Sequence, residues 1–139
     1  MLKTIDFESL KLTISNARSD RQEYELLRTE RGASAAYYCG FWHIRDDVSR
    51  EDCLIKRVEG GDELYGEICA LLQNCKVASW DGFNKGNKYV LDGKQFTLDA
   101  IINGSKIHAS GENNFPKTYR DFLAAIREII DRDENKDEI

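Results

Sequence analysis

The stretch Asn87-Lys88-Tyr89-Val90-Leu91-Asp92-Gly93-Lys94-Gln95-Phe96-Thr97-Leu98-Asp99-Ala100-Ile101-Ile102-Asn103-Gly104-Ser105-Lys106-Ile107-His108-Ala109-Ser110 decides the fold. Asp-Gly and Asn-Gly favour type I′ hairpin turns, because both central residues of such a turn need positive φ. Asp92-Gly93 and Asn103-Gly104 therefore predict a three-strand meander over residues 87–91, 94–102 and 105–110. Two-residue loops set the register by counting outward from each turn. Tyr89 then faces Phe96 across the first turn, while Ala100 faces Ile107 and Leu98 faces Ala109 across the second. All of these share one face with Ile102, so two independent turns select the same apolar face. The same counting places His108 directly opposite Asp99 on the other face.

Upstream, Leu10, Leu12 and Ile14 alternate with Lys11, Thr13 and Ser15, the period-two pattern of a half-buried strand. Residues 22–31 and 33–43 read as a hairpin around Arg31-Gly32, with Leu26 opposite Tyr37 and Tyr24 opposite Cys39. Its expected core face collects Tyr24, Leu26, Ala35, Tyr37, Cys39 and Phe41; the other face carries Leu27, Ala36, Tyr38 and Trp42. Residues 53–58 form another short apolar run, ended by Gly60-Gly61, and residues 77–80 suggest a further short strand.

Two amphipathic helices complete the set. Residues 62–75 place Leu64, Tyr65, Ile68, Leu71, Leu72 and Cys75 on one stripe. Asp62 is suited to the N-cap, and Lys76 to the negative end of the dipole. After Asn113-Asn114, where asparagine suits a cap, Tyr119, Phe122, Leu123, Ile126, Ile129 and Ile130 form the second stripe. Tight turns make the sheet mostly antiparallel. The class is therefore α+β: a mostly antiparallel sheet with a C-terminal three-strand meander and two amphipathic helices packed on one face. Residues 1–131 read as one domain, and residues 132–139 as an acidic frayed tail.

The chain has 139 residues, 41% hydrophobic and 32% charged, which suits one globular domain. The formal net charge of -5 argues against nucleic acid, whose phosphates need a basic face. No apolar run approaches the ~20 residues of a membrane span, and the N-terminal residues lack the apolar stretch of a signal peptide. The expected location is the cytoplasm. Cys39, Cys53, Cys69 and Cys75 contain no C-x-x-C pair, so they read as reduced structural thiols and no metal site is expected. No nucleotide-binding glycine motif is present, and no cofactor is expected.

Four features carry candidate chemistry. His108 opposite Asp99 is either an acid/base dyad or an exposed cross-strand pair, and the second reading is favoured because no nucleophile is placed beside it. His43 and Cys39 lie on one strand, but about 13 Å apart at ~3.3 Å per residue, too far for a local pair. Trp80-Asp81-Gly82-Phe83 sets two large aromatics beside a flexible turn, which grips a ligand or pins a loop to the core. Asn113 and Asn114 lead into the second helix at Tyr119.

Residues 80–126 carry a further pattern: Trp80-x-Gly82-Phe83, Leu91-Asp92-Gly93-x-x-Phe96-x-Leu98, and Gly104-x-x-Ile107-x-Ala109-x-Gly111-x-Asn113-x-Phe115-Pro116-x-x-Tyr119-x-x-Phe122. This pattern resembles uncharacterised small bacterial domains in which an Asp-Gly hairpin and a Gly-x-Asn-x-x-Pro turn precede a C-terminal helix. The resemblance covers about a third of the chain and implies an α+β domain of bacterial origin. It carries no reaction and no catalytic residues.

The leading expectation is a non-catalytic binding or protein-interaction domain, with Trp80, Phe83, Asn113, Asn114 and Tyr119 forming the contact surface where two loops approach. Its partner would be a protein or a small-molecule ligand. A homo-oligomer formed through Tyr38 and Trp42 on an uncovered sheet face is a subsidiary expectation. The alternative is a small hydrolase or transferase using His43, His108 or a cysteine.

Overall fold

The computed structural model describes residues 5–16, 20–86 and 94–132. Strands β1 (Phe7–Asn16), β2 (Arg21–Arg28), β3 (Ala33–Gly40) and β4 (Leu54–Gly60) precede helix α1 (Asp62–Asn74). The short β5 (Asn84–Lys85), then β6 (Lys94–Ile102) and β7 (Ser105–Glu112), lead to helix α2 (Tyr119–Asp131). The seven strands form one sheet in the order β4-β3-β2-β1-β6-β7-β5. Every neighbouring pair is antiparallel except β5 with β7. The protein is thus an α+β domain with a mostly antiparallel sheet. Among the described residues no helix is long and apolar enough to cross a membrane.

Register sorts the side chains by face. Leu12 pairs with Tyr24 on one side and Leu98 on the other, and Leu98 pairs with Ala109. These residues are buried in one core cluster with Leu64, Ile68 and Leu72 of α1 and Phe122, Ile126 and Ile129 of α2. Burial of a large aliphatic side chain contributes roughly 1.5–3 kcal/mol, so this cluster is the main source of stability. The residues between them, such as Lys11, Glu25, Asp99 and His108, point to the opposite, outward face.

The hairpin at Asn103-Gly104 forms as its turn residues dictate. Asn103 has φ 54° and Gly104 φ 78°, and Leu98–Ala109, Asp99–His108 and Ala100–Ile107 are paired. The strand over 87–91, the Asp92-Gly93 turn and the Tyr89–Phe96 pair lie outside the described residues. On the flank of β6 expected for that strand the neighbour is β1, with Phe96 paired to Ile14.

Several local expectations are corrected. The first hairpin turns at Glu30-Arg31, closed by Thr29 and Gly32, which exchange main-chain hydrogen bonds of 3.0 and 3.2 Å. Leu26 therefore faces Ala35, and Tyr24 faces Tyr37. Gly32 serves close packing instead of the turn centre, since a Cβ there would lie 2.2 Å from the Gly61 main chain. Each partner moves by two residues, so the faces survive the change. Phe41 leaves the expected core face and is 45% exposed, because β3 ends at Gly40 and the chain turns away through Ile44 N–H to Phe41 C=O. Glu51–Cys53 and Val77–Trp80 form 3-10 turns, and the second replaces the expected strand, with Lys76 left-handed at φ 52° ahead of it. Gly61 occupies the N-cap of α1 in place of Asp62, and Thr118 that of α2 in place of an asparagine. Arg132 is tied back to Glu67 of α1, and residues 133–139 lie outside the described residues.

Candidate functional site

Four strands build an ionic row across the outward face. Glu25 of β2 pairs with Lys11 of β1, Lys11 with Asp99 of β6, and Asp99 with His108 of β7. The next row runs Leu27, Ser9, Ile101 and Lys106 across the same strands. Together these side chains line a shallow hollow of about 610 Å³.

The geometry at His108 follows from its place in the ladder. Its N–H donates to Asp81 Oδ1 at 2.9 Å and its C=O accepts from Gly82 N–H at 2.9 Å, both on the β5 side. His108 and Asp99 therefore form a non-hydrogen-bonded pair, the type that brings side chains closest. His108 Nδ1 lies 2.6 Å from Asp99 Oδ1. Both side chains are more than half exposed, so the pair contributes little to stability. Among the described residues no hydroxyl or thiol hydrogen-bonds to either imidazole.

Glu25, which lines the hollow, is held by Arg50 in the connection after β3. Its guanidinium binds Glu23, which is 4% exposed, and also Glu25 at 3.2 Å, and lies 4.3 Å above the Tyr38 ring. Burial pulls the Arg50 pKa down, but the carboxylates of Glu23, Glu25 and Glu51 outweigh it and leave the pKa above the ordinary value. Arg57 donates to Tyr38 Oη at 3.0 Å. Tyr38, expected on an uncovered face, is fully buried under these two arginines, while Trp42 stays half-buried beside His43.

His43 and Cys39 are not brought together by a hydrogen bond. His43 packs edge-on against Trp42 at 6.2 Å, and its pKa is lowered by burial and by the Arg21 charge, with Asp20 opposing. Cys39 Sγ donates to Asp20 Oδ2 at 2.8 Å. Burial first, and then the Asp20 carboxylate, push the Cys39 thiol above its ordinary pKa. A thiol held protonated is a poor nucleophile. Cys53, Cys69 and Cys75 are buried, and all four cysteines are free thiols. Among the described residues no three His, Cys, Asp or Glu side chains converge on a metal position.

The Trp80 turn meets the segment before α2, as the two-loop placement expects. Trp80 Nε1 donates to Thr118 Oγ1 at 3.1 Å, and Thr118 Oγ1 donates to Cys75 C=O at 2.6 Å. Trp80 and Tyr119 are nearly buried, with ring centroids 6.1 Å apart. Burial is the main reason the Tyr119 hydroxyl is pushed up to about 12. Half-buried Phe83 packs on Phe96 at 6.0 Å. A groove of about 530 Å³ runs beside them, lined also by Lys76, Pro116 and Lys117. Asn113 and Asn114 lie apart from that groove. Asn113, with φ 55°, exchanges hydrogen bonds with the Lys94 main chain, and Asn114 Nδ2 donates to Glu112 C=O at 3.1 Å.

Sequence reasoning located His108 and Asp99 but missed Lys11, Glu25, Leu27, Ile101 and Lys106. Their signal is present as the polar half of each alternating strand. Their convergence needs β1 to insert between β2 and β6, and no local pattern encodes that. No protein-family model matches this chain, and a search of curated proteins finds no match.

Proposed function

We propose that this chain is a non-catalytic binding domain whose recognition surface is the outward face of β1, β2, β6 and β7. The observation that carries the reading is the hollow of about 610 Å³ in which Glu25, Lys11, Asp99 and His108 alternate in charge character beside Leu27 and Ile101. Such a surface suits a short polypeptide segment that offers both signs of charge next to an apolar side chain. The isolation of the His108–Asp99 pair supports binding over nucleophilic catalysis, which needs an attacking group in reach of the base. Four free thiols support a reducing compartment such as the bacterial cytoplasm.

The test is a titration of isotope-labelled protein with short peptides containing leucine, lysine and glutamate, followed by amide shifts. Shifts clustered at Lys11, Asp99, Ile101 and His108 are expected, and Lys11→Ala should weaken binding by about tenfold, or about 1.4 kcal/mol. Shifts confined to Lys76, Phe83 and Lys117 would move the site to the Trp80 groove. Turnover of an ester or phosphate substrate that is lost in His108→Ala would replace the reading with the enzymatic one.

A further inference from the structure

The two edges of the sheet are treated differently. At one end, β7 is covered by the short β5 and by Asp81, Gly82 and Phe83, which hydrogen-bond to the main chain of His108 and Ser110. Among the described residues no strand pairs with the outer side of β4. Because Thr29 and Gly32 exchange both main-chain hydrogen bonds, alternation along the ladder turns the main-chain groups of Ala33, Ala35 and Tyr37 towards β4. Their partners Gly60, Val58 and Lys56 therefore satisfy their own groups on β3. Arg57 and Glu59 aim theirs outward, and no hydrogen bond from another described residue reaches those groups.

An edge lysine usually guards against strand pairing. Here Lys56 Nζ is bound to Arg132 C=O at 2.6 Å. The exposed Glu59 has no ion pair among the described residues, while Arg57 lies 3.8 Å from Glu51 in a long, exposed contact that leaves its guanidinium able to take a second carboxylate.

We propose that two copies of this chain pair antiparallel through β4, with the two-fold axis at Val58. Arg57 of one copy then faces Glu59 of the other, twice. These are the residues whose main-chain groups are free, so each pair exchanges two hydrogen bonds and brings opposite charges together. Sliding the register by two residues sets Arg57 against Arg57 or Glu59 against Glu59. Sliding it by one sets outward side chains against core-facing ones. Only the Val58-centred arrangement satisfies both hydrogen bonding and charge. The ladder covers residues 56–60 of each copy, because a bulge follows at Lys56. That overlap falls short of the ~1,200 Å² of a stable complex, so the dimer is transient, with Kd on the order of 10–100 μM.

Sedimentation of the full chain between about 1 μM and about 1 mM reads the equilibrium. The wild type should dimerise, Glu59→Lys should weaken the dimer by about tenfold, and Arg57→Glu with Glu59→Lys should restore it to within about threefold. Arg57 also binds Tyr38, so a second measurement needs no substitution. Hydrogen exchange at the Arg57 and Glu59 amides should slow as protein concentration rises, while Lys56 and Val58 amides stay protected throughout. A wild type monomeric at about 1 mM, a dimer indifferent to Glu59→Lys, or Arg57 and Glu59 amides insensitive to concentration would overturn the proposal.

Discussion

Arg50 supplies the positive charge that neutralises Glu23, a carboxylate only 4% exposed on the outward face of the sheet. The pair fastens the connection between β3 and β4 onto that face, and Arg50 also holds Glu25 of the candidate binding surface. Removing one partner of a buried ion pair leaves the other charged and unsolvated, which costs more than the pair contributes.

Arg50→Ala is therefore expected to destabilise the fold by about 3 kcal/mol, measured as a lowered urea midpoint. Arg50→Met combined with Glu23→Gln should recover most of that loss, since neither buried charge remains. Equal losses in the single and double variants would show that packing of Arg50 on Tyr38, and not charge, dominates.

Glu67 offers a test by pH. Its hydrogen bond to Arg132 holds its carboxyl below the ordinary value of 4.5, with burial partly opposing. A carboxyl whose pKa is lower folded than unfolded stabilises the protein above the unfolded value, and that contribution is lost as pH falls through the folded value. The Glu67 side chain is 39% exposed, so screening keeps the effect below about 1 kcal/mol. Wild type should exceed Glu67→Gln in stability at neutral pH, and the gap in thermal midpoint should close below the carboxylate range.

Cys39 distinguishes a structural thiol from a nucleophile. Burial and the Asp20 carboxylate raise its pKa, so little thiolate exists at neutral pH. Alkylation by iodoacetamide should be slower at Cys39 than for a free cysteine, and faster in Asp20→Asn, where one cause of the shift is removed. Rapid alkylation of Cys39 in the wild type would restore it as a catalytic candidate. Mass mapping separates it from the three buried cysteines.

What was legible in the sequence was local. Asn103-Gly104 demands two residues at positive φ, and that requirement sets the register which brings His108 to Asp99. The helical stripes of α1 and α2 were equally plain, because each repeats within a few turns of one segment. Tertiary structure decided the rest. Lys11 stands between Glu25 and Asp99 only because β1 pairs on both sides, joining segments far apart in the chain. Arg31-Gly32 suggests a turn centre, yet Gly32 is needed where Gly61 presses against it from another strand's end. Short-range rules act through backbone torsions and hydrogen bonds between near neighbours. The order of strands, and hence which polar side chains meet on the outward face, depends on burying all the apolar faces at once.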